Sequence, residues 1–408
     1  MGGACYFLGA GACAQRKPMK PMNWKFWLAF TALAASPALA EVALNPLPAR
    51  VLGHPQLTLR TANPNLVEGR ELYNPSGIAI DANASPPILY VADTFNNRVL
   101  AWRNATAFAN GATADLVIGQ KDRFSTFAQG PGSEINGLYW PTGLAVDSAG
   151  NLFVADSGNN RILRYPAPFS DPNEVKQPNL VIGQATLATR DANKDPTTGT
   201  ISARTLFLSS APSTLYLADL LFDPDGSLFV GDAGNRRVLR YPAAAVAPSA
   251  TAHGPAADLV LGQASFTTAG QAPTSASDLT RLSRPGGMAM DSGRRLYVCD
   301  DLHRVLVYEN IQISGSVANR KIGGVLNISG QLQPPDERTL AIPSSVFIHN
   351  GRPYVVDTGN HRILRFPAYE AWPPDPNTPP TAEEVFGQAA FMDYEANRGF
   401  VLPDSNIV

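Results

Sequence analysis

Apolar positions along this chain come in short runs separated by turn residues. Leu152-Phe153-Val154-Ala155-Asp156 is followed, after Ser157-Gly158-Asn159-Asn160, by Arg161-Ile162-Leu163-Arg164-Tyr165. Ahead of this pair stands Gly143-Leu144-Ala145-Val146-Asp147, turned by Ser148-Ala149-Gly150, and after a loop comes Leu180-Val181-Ile182-Gly183-Gln184. The runs are rich in β-branched and aromatic residues and bounded by Gly, Asn, Asp and Pro. That pattern predicts strands joined by hairpins. The unit therefore reads as four antiparallel strands, here called a to d.

The same order recurs along the chain. An aspartate closes strand b at Asp93, Asp156, Asp232, Asp300 and Asp357, and an arginine opens strand c at Arg98, Arg161, Arg237, Arg304 and Arg362. Strand d returns as Leu116-Val117-Ile118-Gly119-Gln120, Leu259-Val260-Leu261-Gly262-Gln263 and Val385-Phe386-Gly387-Gln388, and in weaker form as Lys321-Ile322-Gly323-Gly324. Five full repeats result, near residues 72–120, 138–184, 215–263, 282–324 and 340–388. The a–b turn Asp223-Pro224-Asp225-Gly226 suits a type I turn. Four antiparallel strands per unit, repeated without helices, predict an all-β fold, a β-propeller of four-stranded blades.

Asn360-His361-Arg362-Ile363-Leu364 and Asn160-Arg161-Ile162-Leu163 resemble the Asn-His-Leu signature that names the NHL repeat. The resemblance spans residues 72–391 and extends to exported bacterial NHL-repeat proteins, which often pair Val-x-Gly-Gln strands with long loops, as here. It implies a propeller, commonly of six blades, serving as a platform for protein, RNA or a small ligand. A minority of related propellers are enzymes, such as amidating lyases and lactonases.

Both ends carry fragments in the register of the repeat. Arg50-Val51-Leu52-Gly53-His54 resembles strand d, and residues 396–408, with Asn397-Arg398-Gly399 and Leu402-Pro403, resemble the lead-in to a new strand a. The expected architecture is thus five full blades plus fragments of a sixth at 50–55 and 396–408, a six-bladed ring cut short. An open ring would expose strand edges and invite aggregation.

Composition adds the compartment. Lys17, Lys20 and Lys25 precede the apolar run Phe26-Trp27-Leu28-Ala29-Phe30, and Ala38-Leu39-Ala40 precedes Glu41. A basic segment, a short apolar core and an Ala-x-Ala site predict a signal peptide over residues 1–40, cleaved after Ala40, and a secreted or periplasmic propeller over 41–408. No transmembrane segment is expected in the mature chain. Cleavage would remove Cys5 and Cys13 and leave Cys299 alone, so packing and not a disulfide must hold the fold. It would also make a chain of formal charge -2 more acidic, a poor match for nucleic-acid backbones.

Candidate chemistry follows from what breaks the repeat. The recurrent aspartates and arginines listed above are expected to brace turns, because residues present in every blade hold every blade. The same holds for Asp81, Asp147, Asp223 and Asp291 at the a–b turns. His303 and His361 occupy a turn position filled elsewhere by Asn97, Asn160 and Arg236, which favours turn packing over coordination. No catalytic nucleophile motif is present, and Cys299 reads as a small core residue. The d–a loops Lys121–Gly137, Ala185–Ser213, Ala264–Thr280 and Gly330–Thr339 differ from one another and share one face with the b–c turns. Binding usually sits on such loops. Tyr139, Trp140 and Phe124 are the candidate contacts for a protein, peptide or glycan partner, and binding rather than catalysis is expected. No cofactor is expected. The competing reading is a lactonase-like or amidating-lyase-like hydrolase or lyase holding Ca²⁺ or Zn²⁺ in the central channel. A monomer is expected unless the ring is open.

Overall fold

Each aspartate-to-arginine stretch folds as a tight hairpin. In four repeats the turn is a single 3-10 turn, over Thr94–Asn96, Ser157–Asn159, Ala233–Asn235 and Thr358–Asn360. The next residue closes the turn in the left-handed region: Asn97 at φ 54°, Asn160 at 50°, Arg236 at 56° and His361 at 51°. Asparagine tolerates that conformation, which explains its frequency here. The fourth repeat differs. Asp301-Leu302-His303 is one residue shorter and forms no 3-10 turn, with His303 at φ 60°.

The computed structural model describes residues 48–399, apart from 57–60, 64–65, 130–136, 211–213, 269 and 326–332. The presequence and residues 400–408 of the C-terminal fragment lie outside the described residues. Blade 1 consists of β1 (Gly77–Asp81), β2 (Ile88–Asp93), β3 (Arg98–Trp102) and β4 (Leu116–Ile118). Blade 2 consists of β5 (Pro141–Val146), β6 (Leu152–Asp156), β7 (Arg161–Tyr165) and β8 (Leu180–Ile182). A small hairpin, β9 (Ser209–Ser210) with β10 (Thr214–Leu215), interrupts the connection to blade 3. Blade 3 follows with β11 (Leu220–Phe222), β12 (Leu228–Asp232), β13 (Arg237–Tyr241) and β14 (Leu259–Leu261). Blade 4 has β15 (Pro285–Met290), β16 (Leu296–Asp300), β17 (Arg304–Tyr308) and β18 (Arg320–Gly323). Blade 5 has β19 (Pro343–His349), β20 (Arg352–Asp357), β21 (Arg362–Arg365) and β22 (Glu384–Phe386). Every blade is antiparallel with its strands in chain order, and together the five make a β-propeller.

A lone blade would leave two apolar faces in water, so the blades cover each other. Tyr90, Ala92 and Ile118 of blade 1 meet Leu144, Val154 and Leu163 of blade 2. Phe153, Ile162 and Ile182 meet Leu220, Val230 and Leu239. Phe229, Val238 and Leu261 meet Met288, Val298 and Leu306. Tyr297, Val305 and Ile322 meet Val346, Val355 and Leu364. Burial of apolar area at roughly 25 cal/mol per Å² makes these interfaces the main favourable term in folding.

The pattern stops between blade 5 and blade 1. Inner strands pack along their neighbours from β1 through β5, β11 and β15 to β19, but β19 does not pack along β1 in this way. Among the described residues no apolar cluster joins the two blades. Ile78 is 63% exposed, whereas Leu144, Leu220 and Met288, at the same place in their strands, are each 5% exposed. Among the described residues the ring therefore has a seam between blade 5 and blade 1.

The fragment at 50–55 is not a strand, contrary to the sequence reading. It lies against blade 1, with Leu52 packed on the cluster of Leu89, Leu100 and Trp102. It keeps one mark of strand d: Gly53 has φ 86° with Leu72 beneath it, as Gly119 has φ 88° over Leu138. Strand ladders need a partner, and among the described residues no strand lies beside this segment to pair with it. The start of the C-terminal fragment is likewise not a strand but a 3-10 turn, Ala396–Gly399.

Candidate functional site

The recurrent aspartates are buried where strand b of each blade ends at the b–c turn. Asp232 Oδ1 accepts the Phe207 N–H at 2.8 Å, while Oδ2 accepts from Asn235 Nδ2 at 2.8 Å and Arg237 Nε at 2.7 Å. Arg237 then donates to the carbonyls of Phe266 and Thr205. One carboxylate and one guanidinium thus tie the b–c turn to the connection entering the blade and the connection leaving it. Asp93 with Arg98, Asp156 with Arg161 and Asp357 with Arg362 repeat the arrangement. In blade 4, Asp300 accepts from the Ser283 N–H and pairs with Arg304, and no asparagine joins them. The a–b aspartates make local turns, as where Asp147 Oδ1 accepts the N–H groups of Ala149 and Asn151.

In blades 1 to 4 the residue closing the b–c turn reaches the next blade. Asn97 Oδ1 accepts the Trp140 N–H, Asn160 Oδ1 accepts the Leu208 and Ser209 N–H groups, and His303 Nδ1 accepts the Ile342 N–H. His361, bordering the seam, is exposed. Cys299 is fully buried, and burial pushes its thiol well above the usual range. Among the described residues no three His, Cys, Asp or Glu side chains are placed to hold one metal ion.

Two features mark the face that carries the b–c turns and d–a connections. The first is a row of rings. Tyr73 meets Phe95 edge-on at 5.2 Å, Phe95 lies 6.1 Å from Trp140, and Trp140 lies 4.8 Å from Tyr139. Tyr139 and Trp140 are half-buried, with Tyr139 seated on Gly158, while Tyr73 and Phe95 are exposed. Phe124 is 65% exposed but stands apart, in a groove with Lys121, Pro172 and Glu174. The structure therefore brings Tyr139 and Trp140 together and leaves Phe124 out.

The second feature is a cleft of about 420 Å³ shared by blades 3, 4 and 5. Tyr216 and Leu217, just after the β9–β10 hairpin, form one wall, and Ile342 and Pro343 form another. Arg284, Asp301 and His303 supply the polar groups. Arg284 lies over the Tyr216 ring at 5.5 Å, with Nε 3.7 Å from Asp301 Oδ2. Burial holds the His303 pKa below the usual imidazole range, although Asp301 and Asp357 pull it upward. Sequence reasoning missed this cleft. The available signal was the spacing from Asp300 to Arg304, one residue shorter than in the other repeats, next to an insertion before blade 3.

A third departure lies in the same part of the ring. Asp219 stands where Gly77, Gly143 and Gly287 stand in their inner strands, and its Oδ2 accepts the Met288 N–H of blade 4 at 2.7 Å. Burial raises its pKa from 3.8 to about 6, against the lowering effect of the Met288 and Leu220 N–H groups. A carboxyl whose folded pKa exceeds its unfolded value binds its proton more tightly in the fold. Its contribution therefore favours folding increasingly as pH falls from above about 6 towards 3.8. Asp219→Asn should remove that dependence: from about pH 8 to about pH 4.5, wild type should gain roughly 2–3 kcal/mol relative to the variant. Urea unfolding of both proteins at the two pH values measures it, and parallel pH profiles would refute it.

Among the described residues no helix is long and apolar enough to cross a membrane. The family model of the NHL repeat matches residues 138–165, the stretch from the lead-in of β5 to the end of β7. No curated protein matches the chain. Among solved structures, one that it resembles is the nidogen/laminin complex, at 13% identity over 76% of this chain and 79% of that chain, TM-score 0.42. Another is a Bacteroides thetaiotaomicron protein of unknown function, at 14% identity over 71% of this chain and 58% of that chain, TM-score 0.42. A third is a gluconolactonase from Xanthomonas campestris, at 15% identity over 83% and 88% of the two chains, TM-score 0.37. Likeness at this level says nothing of what this chain binds. The chain thus carries an NHL repeat over residues 138–165, and the aspartate–arginine hairpin of that repeat returns in all five four-stranded blades of a β-propeller.

Proposed function

We propose that this protein is an exported binding scaffold that recognises a protein, peptide or glycan through the face bearing the b–c turns and d–a connections. The observation that carries this reading is the joined row of Tyr73, Phe95, Trp140 and Tyr139, partly exposed on a rigid frame. Rigid aromatic side chains give large contact area at low entropic cost, which makes them effective anchors. Export rests on the basic-apolar-Ala-x-Ala pattern of residues 17–40. Metal-dependent hydrolysis or lysis in the channel is the competing reading.

The test replaces two adjoining rings of the row, exposed Phe95 and half-buried Trp140. Immobilised wild-type protein should retain a component of the extracellular or envelope fraction, and Phe95→Ala with Trp140→Ala should weaken retention by about tenfold or more. Circular dichroism and the unfolding midpoint should stay near wild type. Undiminished retention would place the contact elsewhere. Stoichiometric Ca²⁺ or Zn²⁺ in the purified protein would favour the competing reading.

A further inference from the structure

The cleft at blades 3, 4 and 5 is built by departures from the repeat, not by the repeat itself. An inserted hairpin brings Tyr216 and Leu217, and a shortened turn places Asp301 and His303 opposite them. Its charged groups have unused bonding capacity. Among the described residues the Asp301 carboxylate makes no hydrogen bond, its Oδ1 being enclosed without a partner, and the Arg284 guanidinium meets it only at 3.7 Å. Polar groups in such surroundings ordinarily find partners, so a pair left this loose is suited to a ligand. His303 is fixed as an acceptor at Nδ1 by the Ile342 N–H, so its neutral form carries the ring proton on Nε2 and can donate there.

The cleft thus offers an acceptor, Asp301, beside two donors, Arg284 and His303, with no net charge when His303 is neutral. Exposed Leu217 and Ile342 give it apolar walls. We infer that the cleft binds a neutral sugar, a pyranose with adjacent hydroxyls. Each hydroxyl both donates and accepts, so one can donate to Asp301 while its neighbour accepts from Arg284, and the C–H face of the ring can lie on Leu217 and Ile342. A phosphate or sulfate would meet the Asp301 charge, and an ammonium would meet Arg284. The volume of about 420 Å³ is that of a small-ligand site. This inference rests on the binding-scaffold reading and narrows one part of that face to a ligand class.

The test is an array of immobilised neutral, sulfated and sialylated oligosaccharides, probed with the full chain. Expected is retention on neutral glycans, reduced about tenfold or more by Asp301→Ala and by Leu217→Ser, and unchanged by Asp225→Ala in an exposed a–b turn. Both cleft variants alter partly exposed side chains, and an unchanged unfolding midpoint certifies their fold. Retention on acidic glycans alone, on none, or undiminished in both cleft variants would overturn the inference. If glycans fail while partner retention still depends on Phe95 and Trp140, the sugar site is wrong and the scaffold reading stands. If both fail, the scaffold reading falls as well. Retention of a peptide through Asp301 and Leu217 in place of any glycan would also overturn it.

Discussion

Asp232→Ala is expected to lower the free energy of unfolding by roughly 3–5 kcal/mol, read as a shift in the urea midpoint. The cost comes from what is left behind. Asp232 and Arg237 are fully buried and joined at 2.7 Å, so removing the carboxylate strands a guanidinium in the interior. It also leaves the Phe207 N–H and Asn235 Nδ2 without their acceptor. Breaking one partner of a buried pair costs far more than the pair contributes relative to an apolar replacement. Asp232→Asn retains a side-chain oxygen to accept the Phe207 N–H and should fall between wild type and Asp232→Ala. The exposed pair of Arg294 with Asp225 is the control, since both side chains stand largely in water. Asp225→Ala should leave the urea midpoint close to that of wild type. Equal effects of Asp232→Ala and Asp225→Ala would show that the recurrent pair is not what holds the turn.

The second large effect is expected at the inner strands. A methyl group on Gly77 would stand 1.9 Å from the Thr142 carbonyl oxygen of the next blade, and one on Gly143 would stand 2.4 Å from the Ala218 carbonyl oxygen. The obstacle is backbone in both cases, which cannot rotate away. Gly77→Ala should therefore force β1 and β5 apart and cost about 3 kcal/mol or more, with Gly143→Ala close behind. Gly351 separates the steric term from the conformational one. It sits at φ 72° in the Asn350-Gly351 turn with open space around it, so Gly351→Ala should cost only about 1–2 kcal/mol. Thermal unfolding of the three variants measures the order. If Gly77→Ala proves no worse than Gly351→Ala, close packing of the inner strands is not limiting.

The two effects separate what builds the ring from what the ring presents. The aspartates and arginines are the most regular charged residues in the chain, and the structure buries them in turns. Asp219, the β9–β10 hairpin and the shortened Asp301-Leu302-His303 turn are irregular, and all lie about blades 3 and 4. A repeat can lose local symmetry there without losing its fold, because the neighbouring interfaces still bury their apolar faces.

Much of this was legible before any coordinates. Strand runs, the hairpin aspartate and arginine, the left-handed Asn or His after the turn and the Gly-Gln ending of strand d are local features. Each is decided by a few neighbouring residues through backbone sterics and alternation of apolar positions. Four such strands per unit then leave few ways to bury both faces, so the sequence by itself determined blades and their number of full copies. The tertiary structure alone decided three other things. It laid residues 50–55 against blade 1 without a ladder, it left Ile78 exposed at a seam, and it set Tyr216 and Leu217 across from Arg284, His303 and Ile342. Those residues are far apart in the chain and meet only because the ring curves. Their meeting depends on the summed packing of several blades, which no short stretch of sequence encodes.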